Sequence, residues 1–325
     1  MLFQKISFLF FSLYLLNFSQ IKKEIPKDTS YTIYSAYQKL IRDYPYIKIA
    51  APELNTGITV KENLVYDSNN GRDLHLDIFS PANKIKSKYP AVILIHGGGW
   101  RSGNKSMQHT MAARLAAHNY VAAAVEYRLS PEALYPSGVS DLKNALKWIR
   151  RNAGSYNIDE NKIAVLGCSA GGTLAALLGT TNGDIRFEDT ADYSENLSDV
   201  QAVVDIDGML DFTDPAESGK DNDPLKPSSG RLWFGASYKE KPELWREASP
   251  LYHVNKRAAP IVFINSSIER FHAGRDEMIR MLKSFNIYYE VHTIENAPHT
   301  FWLFHPWFEK TAGFTIEFLD KIFKE

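Results

Sequence analysis

Residues 163–172 read Ile163-Ala164-Val165-Leu166-Gly167-Cys168-Ser169-Ala170-Gly171-Gly172. A short apolar, β-prone run ends in Gly-x-Ser-x-Gly, and the Thr173-Leu174-Ala175-Ala176-Leu177-Leu178 that follows reads as a helix. That strand–turn–helix setting gives the pentapeptide its meaning. A sharp turn there presents the serine hydroxyl away from the sheet on a strained backbone. Gly167 and Gly171 suit it because strand and helix backbones pass so closely that a Cβ would clash. Ser169 is the candidate nucleophile. Cys168 is the only cysteine of the chain, so no intramolecular disulfide is possible. At its position a small thiol packs inward as alanine would.

Outward from this stretch, strand and helix patterns alternate. Residues 91–95 are a continuous apolar run, as expected of a strand covered on both faces. Further strands are expected at 120–125, 162–166, 200–206, 260–265 and 288–294. Helices are expected at 107–119, 138–152, 273–285 and 308–323. Upstream, 58–66 and 72–79 alternate in the β manner around Ser68-Asn69-Asn70-Gly71, a hairpin signal. The pattern predicts an α/β domain with a mostly parallel central sheet flanked by helices. Residues 209–255, carrying Trp233, Phe234, Tyr238 and Trp245, break the alternation. They read as an insertion over the active site or as a surface excursion with its own aromatic cluster.

The chain has 325 residues, 44% of them apolar, and 37 basic against 38 acidic side chains, which argues against a nucleic-acid partner. Lys5 followed by the mainly apolar residues 6–18 reads as a signal peptide over 1–20. The expected mature protein is secreted or periplasmic, with no stable membrane span. A linker and helical extension is expected at 21–57, and the catalytic domain at 58–325.

A serine hydroxyl needs a base, and the base needs a third group to orient it. In the order Ser, acid, His, the base belongs on a loop after the 288–294 strand, where His299 stands. The acid is expected after the 260–265 strand. Glu269 is favoured, being nearer the end of that strand. Asp276 is the alternative, although a place in the first turn of the next helix explains it without catalysis. Asp205 and Asp207, after the preceding strand, remain further choices. His96-Gly97-Gly98-Gly99-Trp100 follows a buried strand, and its glycines allow backbone N–H groups to face a pocket without Cβ interference. Gly98, Gly99 and Ala170 are the expected oxyanion hole, where one such donor contributes ~3–4 kcal/mol. His96 itself reads as an anchor for the loop.

Together, His96-Gly97-Gly98-Gly99-Trp100, Tyr127-Arg128-Leu129-Ser130-Pro131-Glu132, Asp141-Leu142-Lys143 and Gly167-Cys168-Ser169-Ala170-Gly171-Gly172 resemble the α/β-hydrolase serine esterases over residues 58–325. The resemblance is nearest to hormone-sensitive-lipase-like enzymes and bacterial feruloyl and acetyl (xylan) esterases. It implies Ser169 as nucleophile, His299 as base, and Gly98, Gly99 and Ala170 as oxyanion donors, with no metal or organic cofactor. It also implies an acylated glycan as the ester substrate, acetyl first and feruloyl second. Such esterases usually place an Asp at the acid position, whereas this chain reads Asn265-Ser266-Ser267-Ile268-Glu269. Arg128 is expected to be structural. The aromatics of 301–308 are expected to pack the last helix and so carry no argument for sugar binding. Two rivals stand beside this reading. One is a serine exopeptidase of prolyl-oligopeptidase type, for which no propeller-sized region exists upstream. The other is a catalytically silent binding scaffold.

Overall fold

The apolar runs become the buried centre of one sheet. A computed structural model describes residues 28–54, 57–69, 72–83, 87–188, 197–219 and 225–324; the expected signal peptide lies outside them. Eight strands form the sheet among these residues: β1 (Ile58–Asn69), β2 (Arg72–Pro81), β3 (Tyr89–Ile95), β4 (Val121–Val125), β5 (Ile158–Cys168), β6 (Ala202–Ile206), β7 (Ile261–Ser266) and β8 (Tyr289–Ile294). Their spatial order is β1-β2-β4-β3-β5-β6-β7-β8. The first hairpin and the β2–β4 pair are antiparallel, and every other pair is parallel. Every residue of β3, β4, β6 and β7 is buried, which is why these strands lack alternation in the sequence.

Helices cover both faces, as parallel crossovers require. One face carries α1 (Ile33–Leu40), α2 (His109–Ala117) and α6 (Trp307–Phe323), which pack Met111, Leu115 and Phe318 onto Val92, Leu94 and Val204. The other carries α3 (Ser137–Arg151), α4 (Ala170–Thr180) and α5 (Arg275–Ser284), with Leu142, Leu174 and Met278 over Ile93, Val165 and Phe263. Fully burying such a side chain contributes about 1.5–3 kcal/mol. Helix α4 is buried along its whole length, so it reads as apolar on all sides. Phe301, Trp302, Phe304, Trp307 and Phe308 are buried, as their expected packing role requires. Among the described residues no helix is long and apolar enough to cross a membrane.

Parallel strands send their carboxyl ends to one edge, and ligand sites of such sheets lie there. The loops after β3, β5, β6, β7 and β8 therefore converge. The insertion joins them with a buried aromatic cluster: Trp233 stacks on Trp100 at 4.7 Å between ring centroids, and Phe234 and Trp245 pack behind it. Lys48–Ile49 pairs with Phe304–His305, which ties the N-terminal extension beside the loop that follows β8.

Candidate active site

The turn between β5 and α4 has the tightness its glycines imply. A Cβ on Gly167 would lie 1.9 Å from the Gly171 carbonyl oxygen, and one on Gly171 would lie 2.3 Å from that of Ile95. Ser169 sits between them with φ of 55°, the left-handed region that L-residues seldom occupy. Its N–H donates to the Ile206 carbonyl at 2.7 Å, which knits the turn directly to the end of β6.

The Ser169 hydroxyl meets His299 Nε2 at 2.8 Å. The other ring nitrogen, Nδ1, lies 3.0 Å from Asp207 Oδ2. An ionised carboxylate only accepts, so it places a proton on Nδ1 and leaves Nε2 free to take the serine proton. Asp207 is fully buried and also has a positive φ, at 52°. Ser266 donates to it twice, with N–H to Oδ1 and Oγ–H to Oδ2, both at 2.7 Å. The Phe271 ring lies flat against the imidazole, 3.5 Å between centroids, and Trp302 meets it edge-on at 5.1 Å. These two rings hold the plane of His299.

The acid expected from the sequence is therefore corrected. Glu269 is exposed at the start of the short turn Glu269–His272, and Asp276 is exposed in the first turn of α5, beside Arg275. Both face a separate surface depression. Counting along the chain from Pro260 favoured Glu269, but the Nδ1 edge of the imidazole faces the end of β6, one strand inward. The residue that ends β7 is Ser266, and it donates to Asp207. The legible signal was an Asp-Gly pair ending a buried strand: Asp tolerates left-handed backbone, and a Cβ on Gly208 would meet Thr173 N at 2.5 Å.

Gly98 and Gly99 have φ of 120° and 62°, so the loop after β3 adopts backbone that favours glycine. A Cβ on Gly98 would lie 2.1 Å from the Ser102 carbonyl oxygen. Ala170 is the first residue of α4, where a helix leaves its N–H without an internal partner. Gly98, Gly99 and Ala170 line one cavity of about 260 Å³ with Ser169, Asp207 and His299. Trp100 and the insertion residues Met209, Ser229 and Gly230 also line it, and Trp233 stacks behind Trp100. His96 is buried, donates from Nδ1 to the Gly97 carbonyl at 2.8 Å and stacks on Tyr127, the anchoring role expected of it. Burial pushes its pKa down to about 4, so it stays neutral. Burial pushes the Cys168 thiol up to about 12, which leaves no reactive thiolate near Ser169. Arg128 is paired through its guanidinium with Asp141 at 2.7 Å, a structural clamp away from the cavity.

The family model described as BD-FAE matches residues 76–289. Esterase LipC of Mycobacterium tuberculosis is 33% identical over 195 residues, covering 59% of this chain and 47% of LipC. Probable carboxylic ester hydrolase LipM of the same organism is 30% identical over 235 residues, covering 70% of this chain and 54% of LipM. The chain thus spans about half the length of these curated relatives. Among solved structures, a truncated form of carbohydrate esterase from gut microbiota superposes with a TM-score of 0.67 at 24% identity, over 86% of this chain and 100% of that one. Esterase 2 of Thermogutta terrifontis phosphorylated by paraoxon gives 0.67 at 23% identity, over 85% and 98%. The structural likeness establishes the α/β-hydrolase fold.

Proposed function

The chain belongs to the BD-FAE family, and from that premise we propose that it is a serine carboxylic-ester hydrolase acting on small acyl esters of polysaccharides, acetyl esters first. The observation that carries this reading is the unbroken relay from Ser169 through His299 to Asp207, opening into a cavity walled by Gly98, Gly99 and Ala170. In this mechanism His299 Nε2 takes the Ser169 proton as Oγ attacks the ester carbonyl carbon. The tetrahedral oxyanion is held by the Gly98, Gly99 and Ala170 amides. The imidazolium, compensated by buried Asp207, then gives its proton to the departing alcohol. Water enters by the reverse route and releases the acid.

Trp100, backed by Trp233, walls a cavity of only about 260 Å³, which supports acetyl over the larger feruloyl group. The names of the relatives, an esterase and a carboxylic ester hydrolase, support the reaction class, and the carbohydrate esterase among the structures of like fold is consistent with a glycan substrate. A glycan ester also suits the secreted or periplasmic location expected from residues 1–20. The silent-scaffold reading rested on the unusual acid segment, and Asp207 removes that support. The test is hydrolysis of p-nitrophenyl acetate and acetylated xylan by purified protein beside Ser169→Ala. Turnover that vanishes in a folded variant is the expected result. Wild-type turnover in the variant defeats the reading.

A further inference from the structure

One wall of the cavity comes from outside the family-matched residues 76–289. Tyr31 lines it together with Ser169, Gly98, Gly99 and His299. It stands just ahead of α1, on a strap held at Asp28. The Asp28 carboxylate pairs with Arg101, and its backbone bridges to Ser102. Both partners directly follow Gly98-Gly99-Trp100, so the strap is clipped to the loop that supplies oxyanion donors. Tyr31 also lines a second cavity of about 430 Å³, with Arg72, His96, Lys105, Glu126 and Glu132. It is a partition shared by the two spaces. Its hydroxyl has no hydrogen-bond partner among the described residues, and burial pushes the phenol up, so it acts as a neutral donor rather than an acid.

Buried Trp100 lines the catalytic cavity on the insertion side, with Trp233 stacked behind it. An ester bound across Ser169 must place its larger half away from that side. Tyr31 belongs to the remaining wall, which backs onto the second, polar cavity. Resting on the serine-esterase reading, we propose that Tyr31 is a substrate-positioning residue: its phenol donates a hydrogen bond to a free hydroxyl next to the ester oxygen on the alcohol half. The chemistry recognised is the monoester of a vicinal diol. Tyr31 and Ser169 line the same cavity of about 260 Å³, which keeps a hydroxyl that Tyr31 contacts close to the ester.

The test uses the full chain and an isosteric pair, 2-hydroxyethyl acetate and propyl acetate, which differ by a hydroxyl in place of a methyl. Wild-type protein is expected to prefer the hydroxy ester in kcat/KM. Tyr31→Phe is expected to lower that preference about fivefold, the effect of one hydrogen bond, through KM with kcat held. Asp28→Asn, which releases the clip, is expected to lower it in the same direction, whereas Tyr34→Phe, exposed on α1, leaves it unchanged. An unmoved preference in Tyr31→Phe overturns the proposal, as does an equal loss on both esters, which marks a structural role. Melting temperatures of the variants identify any that fail to fold, and Tyr31→His, which restores a donor, then takes the place of Tyr31→Phe with retained preference expected and its loss counting against. Absence of p-nitrophenyl acetate turnover in the wild type overturns the esterase reading and the inference with it; turnover with an unmoved preference overturns the inference alone.

Discussion

Ser266, the last residue of β7, donates both its N–H and its hydroxyl to the Asp207 carboxylate, each at 2.7 Å. The residue at the end of one strand thus fixes the acid at the end of its neighbour. The charge opposite His299 is set one strand inward from where a count along the chain places it.

Asp207→Asn is expected to lower kcat on p-nitrophenyl acetate by about 10⁴-fold, because the amide no longer holds the imidazole in the working tautomer. Glu269→Gln and Asp276→Asn are exposed changes and are expected to stay within about twofold. Steady-state kinetics of the three variants decide the matter. A Glu269→Gln loss as large as that of Asp207→Asn sinks the assignment.

Ser266→Ala keeps the backbone donor and removes the hydroxyl. A hydrogen bond to a charged acceptor contributes roughly 1.5–3 kcal/mol, so kcat is expected to fall about tenfold or more with KM little changed. Ser266→Thr retains the hydroxyl and is expected to recover most of that loss. Failure of the threonine variant to recover activity in a folded protein counts against the hydroxyl as the cause.

Gly167→Ala pushes a methyl into the Gly171 carbonyl, with backbone on both sides and no flexible side chain to yield. Urea unfolding is expected to show a loss of about 3 kcal/mol or more. Gly154→Ala meets nothing within 4 Å and serves as the control. It is expected to be neutral or slightly stabilising.

Asp205 lies two residues before Asp207. Burial, reinforced by the Asp207 charge, holds its carboxyl well above the usual carboxylate range. Only Oδ1 has a partner, the Gly208 N–H at 2.8 Å, and Oδ2 has none among the described residues. The folded protein keeps a proton that the unfolded chain releases above about pH 4. Stability linked to this group is therefore full below that pH and is lost as pH rises. Asp205→Asn is expected to raise the melting temperature more at pH 8 than at pH 4. An equal effect at both pH values contradicts the linkage.

Much of this was legible in the sequence because local chemistry dictates it. The turn at Ser169 needs Gly167 and Gly171 wherever it occurs, and the buried strands need continuous apolar runs. His299 follows from chain order once Ser169 is known. Asp207 was only one of several choices because its role depends on which strand end faces Nδ1, a through-space alignment that spacing does not encode. Tyr31 left no signal at all. A tyrosine in an amphipathic segment reads as packing, and only the fold carries it to the cavity.

The hydrogen bonds of the site join residues 130 and 92 positions apart in the chain. Such contacts require the closure of long loops. Catalytic competence thus depends on long-range docking as well as on the helices, and it is lost when β8 or the loop after it loosens. Recovery of turnover after dilution from denaturant is expected to trail recovery of helical circular dichroism, which makes the reaction itself a clock for the final docking event.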